Sequence, residues 1–436
     1  MLSKIANIFR VPDLKKKVLF TAFILILYRL GSFIPVPGVN VSALSKLFSD
    51  SGSGGLLGFV DLFAGGNMSR ASVFALGIMP YITASIVIQL LGSVVPYFEK
   101  LKKEGADGQK KITQITRYGT VLVAALNSIG ICVMLVNTPG VVAEDIHVYF
   151  FISTIITLIT GVMIIMWLGE QITEKGIGNG ISLIIFAGIV ARLPQEMFQL
   201  FTRVASNPSI GNIFMILFIL LAIIVVTASV ILVTEAMRKI PVQYAKRVIG
   251  RKVYGGQSTY IPLRVNTAGV IPIIFAQSVL MFPITIIRFF NSESTFVTNW
   301  FSPGTGLYTI ISMILIIFFA YFYTAMVMNP VDMADNMKKY GGFIPGVKQG
   351  KKTADYINRV LVRITLPGAI FYSIIAVMPD ILFRILGVSL SVLGGTSIII
   401  VVGVALDTLQ QIESHLVSRH YDGFMKRGKL RGRAGR

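Results

Sequence analysis

A single cysteine, Cys132, stands in a chain of 436 residues. It has no partner for an internal disulfide, and a cysteine metal cluster or a thiol-pair redox site is excluded. Histidine is almost as scarce, with only His147, His415 and His420, too few for a histidine metal site or relay. Charge is the third shortage. Only 14% of the residues are charged, against 54% hydrophobic, whereas a soluble globular domain carries about 25% charged. Such a chain is a polytopic helical membrane protein. The chain also lacks a nucleotide loop. Gly176-Ile177-Gly178-Asn179-Gly180 fails the G-x-G-x-x-G spacing and follows no strand, and there is no Walker sequence. With no Ser-His-Asp set in plausible proximity and no metal-ligand cluster, nothing points to an enzyme, a cofactor or a metal.

What is present is apolar sequence in long runs. The first run follows Lys15, Lys16 and Lys17 but continues through Tyr28, Arg29 and two prolines. It shows no small-residue cleavage pattern, so it reads as a span and not a signal peptide. Ten spans are expected, at 18–37, 71–95, 117–136, 148–168, 177–193, 213–233, 267–287, 307–328, 364–380 and 390–409. An even number places both termini on one side. All but seven of the 40 Lys and Arg residues (Arg29, Lys46, Arg70, Arg192, Arg203, Arg288 and Arg384) then fall on that same side. The bias makes that side the cytoplasm. The long outer connection after span five divides the chain into halves, 1–195 and 205–436. With five spans each, the second half is inverted relative to the first, a common plan for membrane pathways. This division rests on span counting, since no residue-level repeat is evident.

The segment Gly54 to Leu91 is the most informative stretch. It holds a short apolar piece with Asp61, then a Gly-Gly-Asn break with Ser69 and Arg70, then a full span. The short piece cannot cross a bilayer, which takes about 20 residues. A half-helix of this kind has to be shielded by protein or face water. Three spans look like pathway walls. Span two carries Pro80, Thr83, Ser85 and Gln89, span five opens with GIGNGIS, and span seven carries Asn266, Thr267, Pro272, Gln277 and Ser278. Ordinary helix packing also favours small and hydroxyl residues, so the combination with the half-helix carries the pathway reading.

Ionisable groups are nearly missing from the middle of the membrane. Glu170, Glu235 and Asp407 fall at span ends, and Asp61, in the half-helix, stays open between an interfacial place and an outer water-filled cavity. That opposes a pump or ion-coupled transporter, which binds its charge in the membrane. The middle holds isoleucine instead: Ile78 and Ile82 on span two, Ile181 and Ile185 on span five. Residues four apart share a helix face. Such a face can form a hydrophobic constriction, but isoleucine is an ordinary lipid-facing residue, and the spacing alone favours that plainer reading.

The basic loops 236–264 and 329–363 are long and mix Lys and Arg with Tyr, Phe, Ile and Val. Exposed apolar residues beside positive charge suit docking of a partner with acidic or phosphate surfaces. The tail 415–436 ends in KRGKLRGRAGR and is read as disordered. Phosphate binding to RNA or acidic lipid and simple topological charge are equally good accounts of it. A membrane pathway remains, with a small-solute transporter using Asn266, Gln277 and Gln89 as its rival and a non-transporting scaffold docked through the basic loops as a third reading.

The long motifs resemble one family. GIMPYITASIVIQLL, TEKGIGNGISLIIFAGI, YAKRVIGRKVYGGQSTYIPLRVNTAGVIPIIFAQS, GGFIPGVKQGKKTADYINRV and GGTSIIIVVG occur in order along the chain, which is identified as similar to the SecY family of bacterial protein-secretion channels. The resemblance implies an all-α polytopic fold of ten transmembrane helices in two inverted halves with a short re-entrant plug. The plug matches about 55–67, with Gly55, Leu56, Leu57, Phe59, Val60, Asp61, Leu62, Phe63, Ala64 and Asn67. A ring of apolar side chains matches Ile78, Ile82, Ile181, Ile185, Ile274 and Ile400. A lateral gate is implied between spans two and three on one side and seven and eight on the other. Docking of the ribosome or the SecA motor is implied for Arg238, Lys239, Lys246, Arg247, Arg251, Lys252, Lys348, Lys351, Lys352 and Arg359. Lys348 departs from the family's usual arginine, keeping the charge but losing the planar fork of donors. The further partners implied are the SecE and SecG subunits, signal sequences, nascent polypeptides and lipid.

Overall fold

The computed structural model describes residues 11–50, 56–138, 140–142, 147–206, 209–244, 247–249, 252–254, 258–290, 300, 305–386 and 394–427. Gly55, Lys246, Arg251 and the tail beyond Arg427 lie outside the described residues. Helices dominate. The first half holds α1 (Pro12–Gly31), α2 (Val41–Asp50), the half-helix α3 (Leu56–Phe63), α4 (Met79–Val94), α5 (Pro96–Lys103), α6 (Ala106–Asn137), α7 (His147–Lys175) and α8 (Gly180–Val190). After α9 (Leu193–Ser206), the second half holds α10 (Ile210–Glu235), α11 (Ile271–Phe290), α12 (Gly306–Val327), α13 (Pro330–Lys339), α14 (Lys351–Ile385) and α15 (Gly395–Arg427).

Each expected span coincides with one helix: α1, α4, α6, α7, α8, α10, α11, α12, α14 and α15. Among the described residues, seven helices are long and apolar enough to cross a membrane, and the bent pair α4–α5 makes an eighth. Local chemistry sets several boundaries. Proline opens α1, α4, α5 and α13, where a missing N–H costs nothing. Asn179 caps α8 by accepting from the Ile181 and Ser182 amides at 3.1 and 3.2 Å.

Span two was expected from residue 71, yet helix begins at Met79. The Val36 amide donates to Ala71 O at 2.7 Å and the Val73 amide to Ile34 O at 2.9 Å. These backbone groups are already engaged with the segment after α1, so the helical ladder cannot claim them. At the other end, α4 turns through 95° into α5, which carries the basic connection to α6. Span nine is likewise the middle of something longer, the 35-residue α14, which tolerates Pro367 and Pro379. Of the tail read as disordered, Lys426 and Arg427 continue α15.

The two basic loops are not separate. Strand β1 (Met237–Tyr244) pairs antiparallel with β4 (Ser258–Arg264), from Met237↔Arg264 to Gln243↔Ser258. A short pair, β2 (Arg247–Ile249) and β3 (Lys252–Tyr254), sits between them in the chain. Strand β5 (Gly342–Phe343), from the second loop, adds to the other edge of β1. Ile240, Val242 and Leu263 of the hairpin are buried against Met337, Ile344, Ile357 and Leu361. Several apolar residues expected to be exposed therefore form the core of one knob built from both loops.

Candidate functional site

Helices α4, α8, α11 and α15 contribute five of the six isoleucines, and Ile78 sits at the N-cap of α4. Helix α4 packs on α11, α8 on α15, and α11 on α15, so the two halves of the chain meet here. Ile78, Ile82, Ile185, Ile274 and Ile400 are all buried, with exposures of 4% or less, and belong to one apolar cluster. Ile181 is partly buried and packs against it. The cluster also takes in Leu62 and Phe63 of α3.

On the side of the basic loops, a cavity of about 530 Å³ opens. Ile82, Ile181 and Ile274 line it, with Tyr81, Ser85 and Gln89 from α4, Thr113 and Thr116 from α6, Phe275 from α11 and Tyr323 from α12. It therefore lies between α4–α6 and α11–α12. A second cavity of about 420 Å³, shared with it at Asn179, Ser182 and Ile271, reaches Arg264, Asp407 and Gln411. Contact across the α4–α11 seam is soft at Ser278, whose hydroxyl donates to Ile274 O of its own helix at 2.8 Å and lies 3.8 Å from Met79 Sδ. Within the α11–α12 pair, Tyr308 donates to Gln277 at 2.9 Å. The polar groups a solute site would need are engaged separately. Asn266 donates to Gly269 O and Gln89 to Ser85, so they do not converge with Gln277 on one site.

The half-helix sits at the far side of the isoleucines. Its side chains at Leu62, Phe63 and Ala64 are buried. Of the expected plug residues, Gly55 lies outside the described residues. Leu56, Leu57, Phe59 and Val60 are placed on α3 as backbone. Asp61 faces no water-filled cavity. It is 1% exposed; its Oδ1 accepts from the Met68 and Ser69 amides at 2.8 and 3.0 Å, and its Oδ2 from Arg192 Nη1 at 3.0 Å. A buried carboxylate needs such partners because an unpaired charge there is very costly. Asn67 donates to Tyr28 Oη at 3.2 Å, and Arg29 donates to Gly65 O at 3.2 Å. Glycine is required where α3 meets α8. Gly65 has φ 71°, and a Cβ on Gly188 would sit 2.9 Å from Gly65 Cα. Sequence reasoning missed Arg192, Arg29, Tyr28 and Gly188. Only the Gly65-Gly66 pair signalled that backbone approaches closely here.

On the knob, Arg238, Lys239, Lys348, Lys351, Lys352 and Arg359 are exposed. Lys239 lies over the Tyr260 ring at 4.7 Å. Lys348 sits on a fixed turn, where Thr353 Oγ1 donates to its carbonyl at 2.9 Å. Arg247 and Lys252 are placed on β2 and β3, while Lys246 and Arg251 lie outside the described residues. Glu170, expected at an interface, accepts from Arg117 Nη2 at 2.6 Å.

The SecY family model matches residues 72–409. Protein translocase subunit SecY of Halalkalibacterium halodurans is 47% identical, over 98% of this chain and all of its own length. This chain belongs to the SecY family. SecY-family architecture is also found among solved structures. A SecY structure concerned with a plug domain that stabilises the closed translocation channel covers 93% of both chains, at a TM-score of 0.67 and 18% identity. Sec61 in the canine ribosome–channel complex likewise covers 93% of both, at 0.62 and 16%. The multi-pass fold implied by the sequence is thus the SecY-family fold, mostly helical and not all-α, since the basic loops add strands β1 to β5.

Proposed function

We propose that this chain is the protein-conducting channel of a bacterial plasma-membrane translocon. It passes unfolded secretory polypeptides and releases apolar segments sideways into lipid. The observation that carries the reading is the order of parts along one axis: a wide cavity beside the basic knob, six isoleucines from both halves of the chain, and a buried half-helix beyond them.

In this reading the cavity receives the chain from the cytoplasm, where both termini lie. The halves are 1–195 and 205–436, one inverted on the other. Isoleucine seals by excluding water and carries no charge to trap a passing residue. Helix α3 is the plug. The α4–α6 and α11–α12 faces form the lateral gate. An apolar segment leaves through it because burying each large apolar side chain is worth about 1.5–3 kcal/mol. The sequence has no phosphate-binding loop, so a partner supplies the energy. The exposed cations of the knob dock the SecA motor or the ribosome, and SecE and SecG complete the assembly. On this reading the protein is a channel and not an enzyme.

Reconstitution tests it. Proteoliposomes holding this chain with SecE and SecG, given SecA and ATP, are expected to protect a secretory precursor from external protease. Empty liposomes are not. A precursor left fully digestible by an assembled complex would refute the function.

A further inference from the structure

The Asp61–Arg192 pair joins the half-helix to the turn that follows α8, across 131 residues of sequence. Helix α8 carries three things at once. Ile181 and Ile185 lie near its start, Gly188 forms the notch that receives Gly65, and Arg192 follows its end. The pair is well shielded, with Asp61 and Arg192 side chains only 2% and 18% exposed. Arg29 makes a second tie, to the Gly65 carbonyl, and lies within electrostatic reach of both Arg70 and Arg192. The plug's carboxylate is therefore set among like-charged groups that it offsets.

We infer that Arg192 is a positioning residue that latches the plug to α8, so that outward movement of α8 at Ile181 and Ile185 also withdraws the charge holding Asp61. A polypeptide that widens the constriction thereby loosens the plug through the same rigid helix, ahead of touching it. This inference rests on the channel reading. It adds a specific residue and a direction of coupling.

The latch needs charge on Arg192 at one nitrogen, because a single contact at Nη1 is made. Lysine should therefore suffice, and glutamine should not. Asp61→Asn keeps an acceptor for the Met68 and Ser69 amides but removes the charge. The test measures resting ion efflux from proteoliposomes holding the full complex. Arg192→Gln and Asp61→Asn are each expected to raise efflux by at least about tenfold, because removing one partner of a shielded ion pair strongly destabilises the state that holds it. Arg192→Lys should stay within about twofold of the parent. The double variant should leak no more than either single one, since both remove one interaction. An Arg192→Gln channel as tight as the parent, or Arg192→Lys leaking as badly as Arg192→Gln, overturns the latch. Deletion of residues 56–66 separates this from the underlying reading. Leakage on deletion with a tight Arg192→Gln channel removes the latch alone, whereas a tight deletion variant removes the plug as well.

Discussion

Gly188→Ala is the sharpest perturbation of the closed state. The added methyl would lie 2.9 Å from Gly65 Cα and 3.6 Å from both the Gly65 nitrogen and Tyr28 Oη. The nearest neighbour is backbone, and contacts under 3.0 Å are essentially never adopted by a real Cβ. Helix α8 cannot yield easily, because its isoleucines are packed in the central cluster. Gly65 has no freedom to turn its backbone away at φ 71° without leaving its own tight turn. The plug must then lift. Overpacking of this kind costs about 1–3 kcal/mol, charged to the closed state alone if the plug leaves in the open one. That lowers the closed-to-open ratio by about 5- to 150-fold, at about 1.4 kcal/mol per tenfold. The helix itself gains, since alanine exceeds glycine in helix propensity by about 1 kcal/mol. Lost folding is therefore not the expected outcome. Single-channel conductance of the resting complex, with thermal unfolding as a control, reads both effects. A normally folded variant with an unchanged resting conductance would refute the reasoning.

Three further outcomes are expected. Ile274→Asn or Ile82→Asn puts an amide among buried apolar side chains, at a cost of about 1–3 kcal/mol if it stays unpaired; precursors with defective signals should then be exported, and unchanged signal selectivity would count against the isoleucine seal. Reversing Arg238 and Lys239 to glutamate, both exposed on β1, should weaken ribosome and motor binding severalfold in a salt-dependent way, with membrane insertion intact. Equal binding by the variant removes those residues from the dock. Lys348→Arg restores a planar fork on a fixed, exposed turn and should raise motor-driven translocation. No change in rate would mean that this position contacts its partner through charge alone.

The spans were legible because each is a long apolar run, and the half-helix because its run is too short to cross. Their ends were less so. The start of span two is lost to hydrogen bonds with Ile34 and Val36, and nothing local marks those groups as taken. The knob was half legible. Ile240 and Val242 alternate with exposed neighbours along β1, the pattern of a strand with one covered face. What covers that face comes from Ile344 and Ile357, about a hundred residues on. The Asp61–Arg192 pair was illegible for the same reason. A lone acid in an apolar half-helix announces that it needs a partner, but a sequence does not say which of several distant arginines will arrive. The isoleucines sat between these cases. Spacing gave a shared face, and only the convergence of α4, α8, α11 and α15 showed that the face points inward.

The most direct measurement places a photo-crosslinking residue at Ile185, with a control at Leu221, an exposed position of α10. Both go into membranes holding a secretory chain stalled halfway across. A crosslink from Ile185 and none from Leu221 is expected, because the polypeptide passes through the isoleucine cluster. With the stalled chain verified as present, no crosslink at Ile185 would contradict the claim that this protein is the conduit.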